Sequence, residues 1–292
     1  MDAAKCEIAI LVLAHNKAAY TARCLTSLFA STLRPFQVVL VDNGSTDETA
    51  AVFANFQARA AAEEIAVSTL RFPQNVGAIT GRNRGLALLR GGYLVFLDND
   101  VVVRTRSWLE KLKATLDADP GLGVAAPKLV YPLPPYLIQC AGCAVTPGGQ
   151  IVFRGRGKSR DDPEYTAPQD CQTLTSAAWM MRTEVAQRAG PLDERFSPVQ
   201  FEDIDYCYRA RELGWRCRYE PAVEMYHFED VTTNRTSTLN YPYLTVKNGL
   251  KFKEKWRHRF SKEAGPPDKE WSWAQIKTVT LAEVPERLET LP

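Results

Sequence analysis

The chain has 292 residues, 45% hydrophobic and 24% charged, with Lys and Arg (36) nearly matching Asp and Glu (34) for a net charge of +2. This composition excludes a disordered or collagen-like chain, and the balanced charge argues against an electrostatic nucleic-acid binder. The longest apolar runs, Ile8–Ala14 and Tyr93–Leu97, fall well short of the roughly 18–20 residues of a membrane span.

The N-terminal five residues carry no signal-peptide pattern and lead straight into Ile8–Leu13, a continuous apolar run of the kind buried on both faces of a parallel sheet. A helix is expected over Lys17–Ala30 and a strand over Gln37–Val41. A second helix runs from Ser45 to Phe56, with Ser45 and Glu48 at capping-box spacing. Strands over Ile65–Phe72 and Tyr93–Leu97 enclose a helix over Ala78–Leu89. Strands alternating with helices predict a parallel sheet with right-handed crossovers.

Beyond residue 100 the pattern changes. Gly123–Tyr131, Leu137–Val145, Gln150–Arg154 and Thr173–Met181 read as strands, the last as a central one. Gly155–Gln169 has almost no apolar residue and reads as a mobile loop; Arg154, Arg156, Lys158 and Arg160 would suit a diphosphate if it served as a lid. Phe201–Leu213 reads as a helix opening on acids, followed by strands at Arg216–Tyr219 and Val223–Tyr226. The chain from Tyr241 onward reads as polar helix, broken at Gly265-Pro266-Pro267. Seven cysteines, an odd number, favour reduced thiols and a cytoplasmic setting. Cys140-Ala141-Gly142-Cys143 has no second pair to complete a zinc site.

In open parallel sheets, ligands bind beyond the carboxyl ends of the strands. Polar clusters fall there: His15-Asn16, Asp42-Asn43-Gly44-Ser45 and Asp98-Asn99-Asp100. Asp98 and Asp100 flank one residue, so in extended chain both carboxylates face one side. They then either bracket a cation such as Mg²⁺ or Mn²⁺ or form an acidic loop solvated by water. No glycine-rich phosphate loop of either standard spacing is present.

Taken in order, these segments resemble an inverting glycosyltransferase of family 2 with the GT-A fold, of the type found among bacterial rhamnosyl-, galactofuranosyl- and polysaccharide glycosyltransferases. The resemblance rests on Val12–Asn16, Val41–Asp47, Asn75-Val76-Gly77, Gly81–Gly85, Leu97–Asp100, Gly190–Phe196, Phe201–Cys207, Arg209-Ala210-Arg211, Gly214, Pro221 and His227. It implies an α/β fold with a mixed, mainly parallel sheet over residues 1–240 and a C-terminal helical appendage over 241–292. It implies that Ala14, His15, Asn16, Asp42, Asn75, Arg82, Asp98 and Asn99 surround the nucleotide of a nucleotide-sugar donor, with a UDP-sugar favoured. Asp100, expected to be exposed at a strand end, and His227 would hold Mn²⁺ or Mg²⁺. Asp203 would be the general base, and Trp179 and Glu202 would face the acceptor, a glycan, lipid-linked or protein hydroxyl. Where the family usually has Thr-Tyr, this chain has Ala14-His15.

Neighbouring helical residues point roughly 100° apart, so Glu202 and Asp203 should not share one task, and Asp205 reads as structural. Lys247, Lys251, Lys255 and Arg259 form one helical stripe beside Phe252, Trp256 and Phe260. That stripe is either a solvated face of a packed helix or a peripheral contact through 247–260 to anionic lipid or to a lipid-diphosphate acceptor. Two rival functions are a sugar-1-phosphate nucleotidyltransferase, whose glycine-rich basic signature is not at Leu13–Lys17, and a catalytically silent GT-A binding or scaffold module.

Overall fold

The computed structural model describes residues 6–229, 240–263, 265–270 and 272–292; the reading of the first five residues lies outside them. Strand β1 (Ile8–Ala14) is followed by α1 (Ala18–Leu28), β2 (Phe36–Asp42), α2 (Thr49–Ala60), β3 (Ile65–Arg71), α3 (Ala78–Leu86) and β4 (Tyr93–Asp98). Then come β5 (Val101–Val103), α4 (Trp108–Asp117), β6 (Leu122–Val130), β7 (Ile138–Cys140), β8 (Cys143–Val145) and β9 (Ile151–Phe153). The remainder is β10 (Gln169–Cys171), β11 (Ala178–Arg182), α5 (Thr183–Ala189), α6 (Glu202–Glu212), β12 (Arg216–His227) and α7 (Tyr241–Phe260).

The main sheet has the order β10-β12-β6-β11-β4-β1-β2-β3. β1 pairs in parallel with β2 and β4, and β2 with β3, while β11 runs antiparallel between β4 and β6. Register aligns Ala14 with Asp42 and Leu13 with Asp98, so three strands end together on one edge. Each face of the sheet carries its own core. One is closed by Cys24, Leu25, Leu28, Phe53, Leu109 and Leu112 of α1, α2 and α4, the other by residues of α3, α5, α6 and α7. This is the GT-A type of layered α/β fold with a C-terminal helix.

Helix α3 lies unusually close to β1. A Cβ on Gly85 would stand 2.4 Å from Leu11 Cδ1, and one on Gly81 2.8 Å from Leu13 Cδ1. Only hydrogen at those positions lets the helix settle there, and this carries Arg82 to the end of the sheet.

Several elements differ from expectation. α2 starts at Thr49, and Ser45 and Glu48 do not box its end; Asp47 Oδ1 instead accepts from the Thr49 N–H at 3.0 Å. The expected strand over Leu137–Val145 is broken at Gly142 (φ +78°), where a Cβ would meet Cys171 Sγ at 2.3 Å. The two strands expected over Arg216–Tyr226 are one, with Pro221 absorbed in a register shift between Glu220 and Glu224. Helix α7 ends at Phe260; the rest of the tail crosses to a third small core, where Val279 and Val284 pack with Val102, Val130, Tyr226 and Phe228. Among the described residues no helix is long and apolar enough to cross a membrane.

The Gly155–Gln169 segment is pinned rather than poised. Arg156 makes a two-armed pair with Glu229 (2.8 and 3.0 Å), Arg160 lies 3.5 Å from Glu224, and Tyr219 donates to the Tyr165 carbonyl at 2.9 Å. Arg156 and Arg160 thus answer carboxylates of the protein itself. The α7 stripe behaves alike: Lys255 pairs with Asp193 (3.0 Å) and Asp205 (2.6 Å), Arg259 with Glu212 (3.4 Å), and Lys251 donates to the Arg195 carbonyl. Helix α7 is packed on the core, with Phe252, Trp256 and Phe260 buried, and three of the four stripe cations are tied to the protein rather than presented outward.

Candidate active site

The carboxyl ends of β1 and β4, the start of α6 and the inner face of α7 enclose a cleft of about 1300 Å³. Pockets for one small ligand are usually about 300–1,000 Å³, so this one has room for two. His15, Asn43, Asn75, Arg82, Asp98, Asn99, Asp100, Glu202, Asp203 and His227 all line it.

Local backbone brings these groups together. Gln200 (φ +87°) and Phe201 (φ +71°) both stand in the left-handed region just before α6, as Asn16 (φ +57°) and Lys17 (φ +64°) do before α1. Such strain in consecutive non-glycine residues costs about 1–3 kcal/mol each and persists where packing enforces it. Here Phe201 is held against Phe252 of α7, ring centroids 5.6 Å apart. The turn sets Glu202 and Asp203 at the mouth of α6.

Asp98, Asp100 and His227 each offer a ligand atom within 4.8 Å of the others. His227 Nε2 is 3.4 Å from Asp100 Oδ1, while Nδ1 donates to Gln139 Oε1 at 2.7 Å, which fixes the ring with Nε2 toward Asp100. Burial alone would lower the imidazole, yet the Asp100 carboxylate, with Asp98 and Glu229 behind it, holds it raised to about 9. Burial likewise pushes the Asp98 carboxyl up, against the opposing Arg82 and with Asp100 adding to the rise. Two clustered carboxylates and an imidazole form a set a divalent cation would neutralise, and the oxygen-rich set with one nitrogen suits Mn²⁺. Asp100 is buried, contrary to expectation, because β5 turns back beneath it to pair with the end of β12.

Arg82 is buried and fully engaged. It donates to Ser176 Oγ and Glu202 Oε1, each at 3.0 Å, and to Asp98 Oδ1. It therefore joins the acidic cluster to Glu202 at the start of α6, on the wall of the cleft. Glu202 is buried with Oε2 unpartnered, and burial, with Asp203 adjacent, pushes its carboxyl up to about 7. Asp203 is half-buried in the cleft; its Oδ2 accepts from the Ser176 N–H at 3.1 Å and its Oδ1 from the Ile204 N–H at 2.8 Å. Burial raises this carboxyl too, against those two N–H groups. Asp205 is structural, holding Arg209 (2.9 Å) and the Trp256 indole N–H (2.8 Å).

Other expected donor residues separate into two sets. His15 faces the cleft with Nδ1 donating to the Asn43 carbonyl at 2.8 Å, and Asn43 Nδ2 donates to Asn75 Oδ1 at 3.0 Å. Asn99 lines the cleft while donating to Thr21 Oγ1 at 2.9 Å. Ala14 is buried at its strand end, and Asp42 is buried with Oδ1 accepting from the Ser45 N–H (2.8 Å) and Oδ2 3.2 Å from Arg71 Nε. Asn16 Oδ1 accepts from the Thr46 N–H at 2.8 Å, clasping the loop after β2. These three stand behind the cleft wall rather than on it.

Trp179 is not on the acceptor side. It is fully buried between Phe96 (5.8 Å) and Tyr206 (5.9 Å), because β11 is a central strand covered on both faces. Sequence reasoning missed Gln139, Ser176, Phe153 and Trp273; none stands in a motif, and the fold alone gathers them.

A family model, Glycosyl transferase family 2, matches residues 9–187. The chain belongs to this family. It is 29% identical over 232 residues to the pre-mycofactocin glycosyltransferase of Mycobacterium tuberculosis, covering 76% of this chain and 42% of that one. It is 28% identical over 250 residues to the N-acetylglucosaminyl-diphospho-decaprenol L-rhamnosyltransferase of the same species, covering 77% of each. The chain spans less than half the length of several relatives, 26% of one and 16% of another. Among solved structures, GalNAc-T7 with UDP, GalNAc and Mn²⁺ superposes with a TM-score of 0.68 at 18% identity, covering 87% of this chain and 49% of that one, which shows a shared fold. The family match stops before Asp203 and His227.

Proposed function

We propose that the protein transfers a sugar, with inversion, from a nucleotide diphosphate-sugar to an acceptor hydroxyl. Residues 1–240 form the catalytic unit and 241–292 the appended wall on the acceptor side. The observation that carries this reading is that Asp203 and the Asp98, Asp100, His227 cluster line one cleft large enough for two substrates.

Asp100 and His227, with Asp98 beside them, would hold Mn²⁺ or Mg²⁺ against the donor diphosphate. When bound, the ion offsets the negative charge that develops on the leaving nucleoside diphosphate. His15, Asn43 and Asn75 bound the nucleoside end of the cleft, with Asp42 and Arg71 closing it from behind. Asp203 accepts the proton of the acceptor hydroxyl as its oxygen attacks the anomeric carbon opposite the leaving group. Burial makes Asp203 a stronger base than an ordinary aspartate, and the Ser176 and Ile204 N–H groups hold it in place. Arg82 keeps Glu202 from competing for the same proton.

UDP-sugars are the favoured donors, and the pairing of Mn²⁺ with UDP in GalNAc-T7 supports that preference. The rhamnosyltransferase relative, named for a diphospho-decaprenol acceptor, makes a lipid-linked acceptor one option beside a glycan or protein. A cytoplasmic setting accords with seven free, buried thiols. The test is a panel of UDP- and GDP-sugars with Mn²⁺, read as nucleoside diphosphate release and as product anomeric configuration by NMR. A product that keeps the donor's configuration, or equal release in excess chelator, would overturn the reading.

A further inference from the structure

Helix α7 has a second apolar face that the core does not use. Tyr243, Val246 and Leu250 are 59%, 64% and 64% exposed, opposite the buried Leu244, Phe252 and Trp256. Among the described residues five large apolar side chains are exposed; three are these, and a fourth is Trp273 at 43%. Concentration of such residues on one rim marks a binding surface rather than chance exposure.

This face continues the cleft. Val246, Leu250, Lys253 and Trp273 line the same cavity as Asp203, together with Ile151 and Phe153 from the β8–β9 hairpin. Trp273 is braced for the purpose, with Arg156 4.1 Å above its ring and Phe153 at 5.2 Å. Gly249 lets α7 close on Phe201, since a Cβ there would meet Phe201 Cζ at 3.2 Å. That contact fixes the apolar face beside the mouth of α6. Lys253 completes it: unlike Lys255 one turn-half onward, it has no carboxylate in salt-bridge range among the described residues.

We propose that the acceptor is an anionic amphiphile, its apolar body lying on Val246 and Leu250 against Trp273 and its negative group meeting Lys253. This deepens the transferase reading and rests on it. The polar end of such a molecule reaches Asp203 while the apolar part leaves water, so the cleft discriminates by the non-reacting half of the acceptor. A free sugar fills the polar floor and leaves the α7 wall wet. From Val246 to Lys253 the helix rises about 10 Å, enough to take a chain of roughly eight carbons.

The test is a titration of the full chain with dodecyl phosphate below its micellar concentration, read by tryptophan fluorescence, with octyl glucoside as the neutral comparison. Saturable binding is expected for dodecyl phosphate, weakened about tenfold by Leu250→Ser. Lys253→Gln should weaken dodecyl phosphate but leave octyl glucoside unaffected. Equal affinities in wild type, Leu250→Ser and Lys253→Gln would overturn the proposal. Phosphatidylglycerol vesicles form a further arm: if Leu250→Ser loses vesicle binding but keeps dodecyl phosphate affinity, the face is a membrane contact and the proposal falls. Mn²⁺-dependent UDP binding to the wild-type chain is measured in parallel. Its absence beside intact amphiphile binding would overturn the transferase reading and leave the apolar subsite standing.

Discussion

Arg82 and Glu202 meet at 3.0 Å beneath the cleft, 120 residues apart in sequence, and the same guanidinium holds Asp98. One cation thus balances two carboxylates that burial drives toward protonation.

Arg82→Met should therefore be severe. It leaves Asp98 and Glu202 facing each other without a counter-charge, and breaking a buried pair in this way costs about 3–5 kcal/mol. Urea unfolding measures it; a loss below about 1 kcal/mol would show that the pair contributes nothing net.

Asp203→Asn keeps the hydrogen bond to the Ser176 N–H but cannot take a proton. Turnover should fall about 10²-fold or more with donor affinity unchanged. Glu202→Gln should retain turnover within about tenfold, since it removes charge but no proton acceptor of the reaction. The reverse ranking would exchange the two roles.

Mn²⁺ affinity should depend on Asp100 and, through His227, on Gln139. Asp100→Asn should abolish binding, and Gln139→Leu, which frees the imidazole to rotate, should weaken it by about 10–100-fold. Paramagnetic resonance of free Mn²⁺ reads both. Identical binding in the two variants and the wild type would remove the metal from this cluster.

Trp179→Ala should unfold the protein more easily by about 3–5 kcal/mol, the price of a large core cavity. If the variant kept its stability and instead raised the acceptor KM, the side chain would be a sugar platform after all.

Acid should loosen α7. Arg195 first, then Lys255, hold the Asp193 carboxyl well below its ordinary value of 3.8. A carboxyl lowered on folding contributes stability that is present above that value and is lost as pH falls through the folded one. Asp193→Asn should shift acid unfolding, followed by Trp256 fluorescence, to higher pH than in wild type. Coincident curves would mean that Asp193 does not couple α7 to the domain.

The parallel half of the fold was legible because strands buried on both faces must be largely apolar, and Ile8–Ala14 and the Val38–Val41 stretch of β2 are. The acidic cluster was legible because one intervening residue puts Asp98 and Asp100 on one side. Trp179 was not, since a two-sided apolar run does not tell which of its members meets a ligand. Charge pattern alone did not separate the alternatives at 154–160 and in α7, because it does not reveal the partner, and Glu229, Glu224, Asp193 and Asp205 come from distant segments. Pro221 and Ala222 suggested a break because a bulge inside one strand leaves the same signature as a turn between two.

The position of β11 in mid-sheet divides the chain at a useful place. His15, Asn43, Asn75 and Asp98 come before it, while Asp203, Phe201 and the apolar wall of α7 come after. On the proposed reading most donor-side groups precede residue 183 and most of the acceptor wall follows it. Ile151 and Phe153 of that wall lie before the seam and His227 of the acidic cluster after it, so recombination there would pair the two sides only if these crossing residues are kept. Such a hybrid must inherit Arg82, Asp98 and Glu202 as a set, because that ionic joint spans the seam.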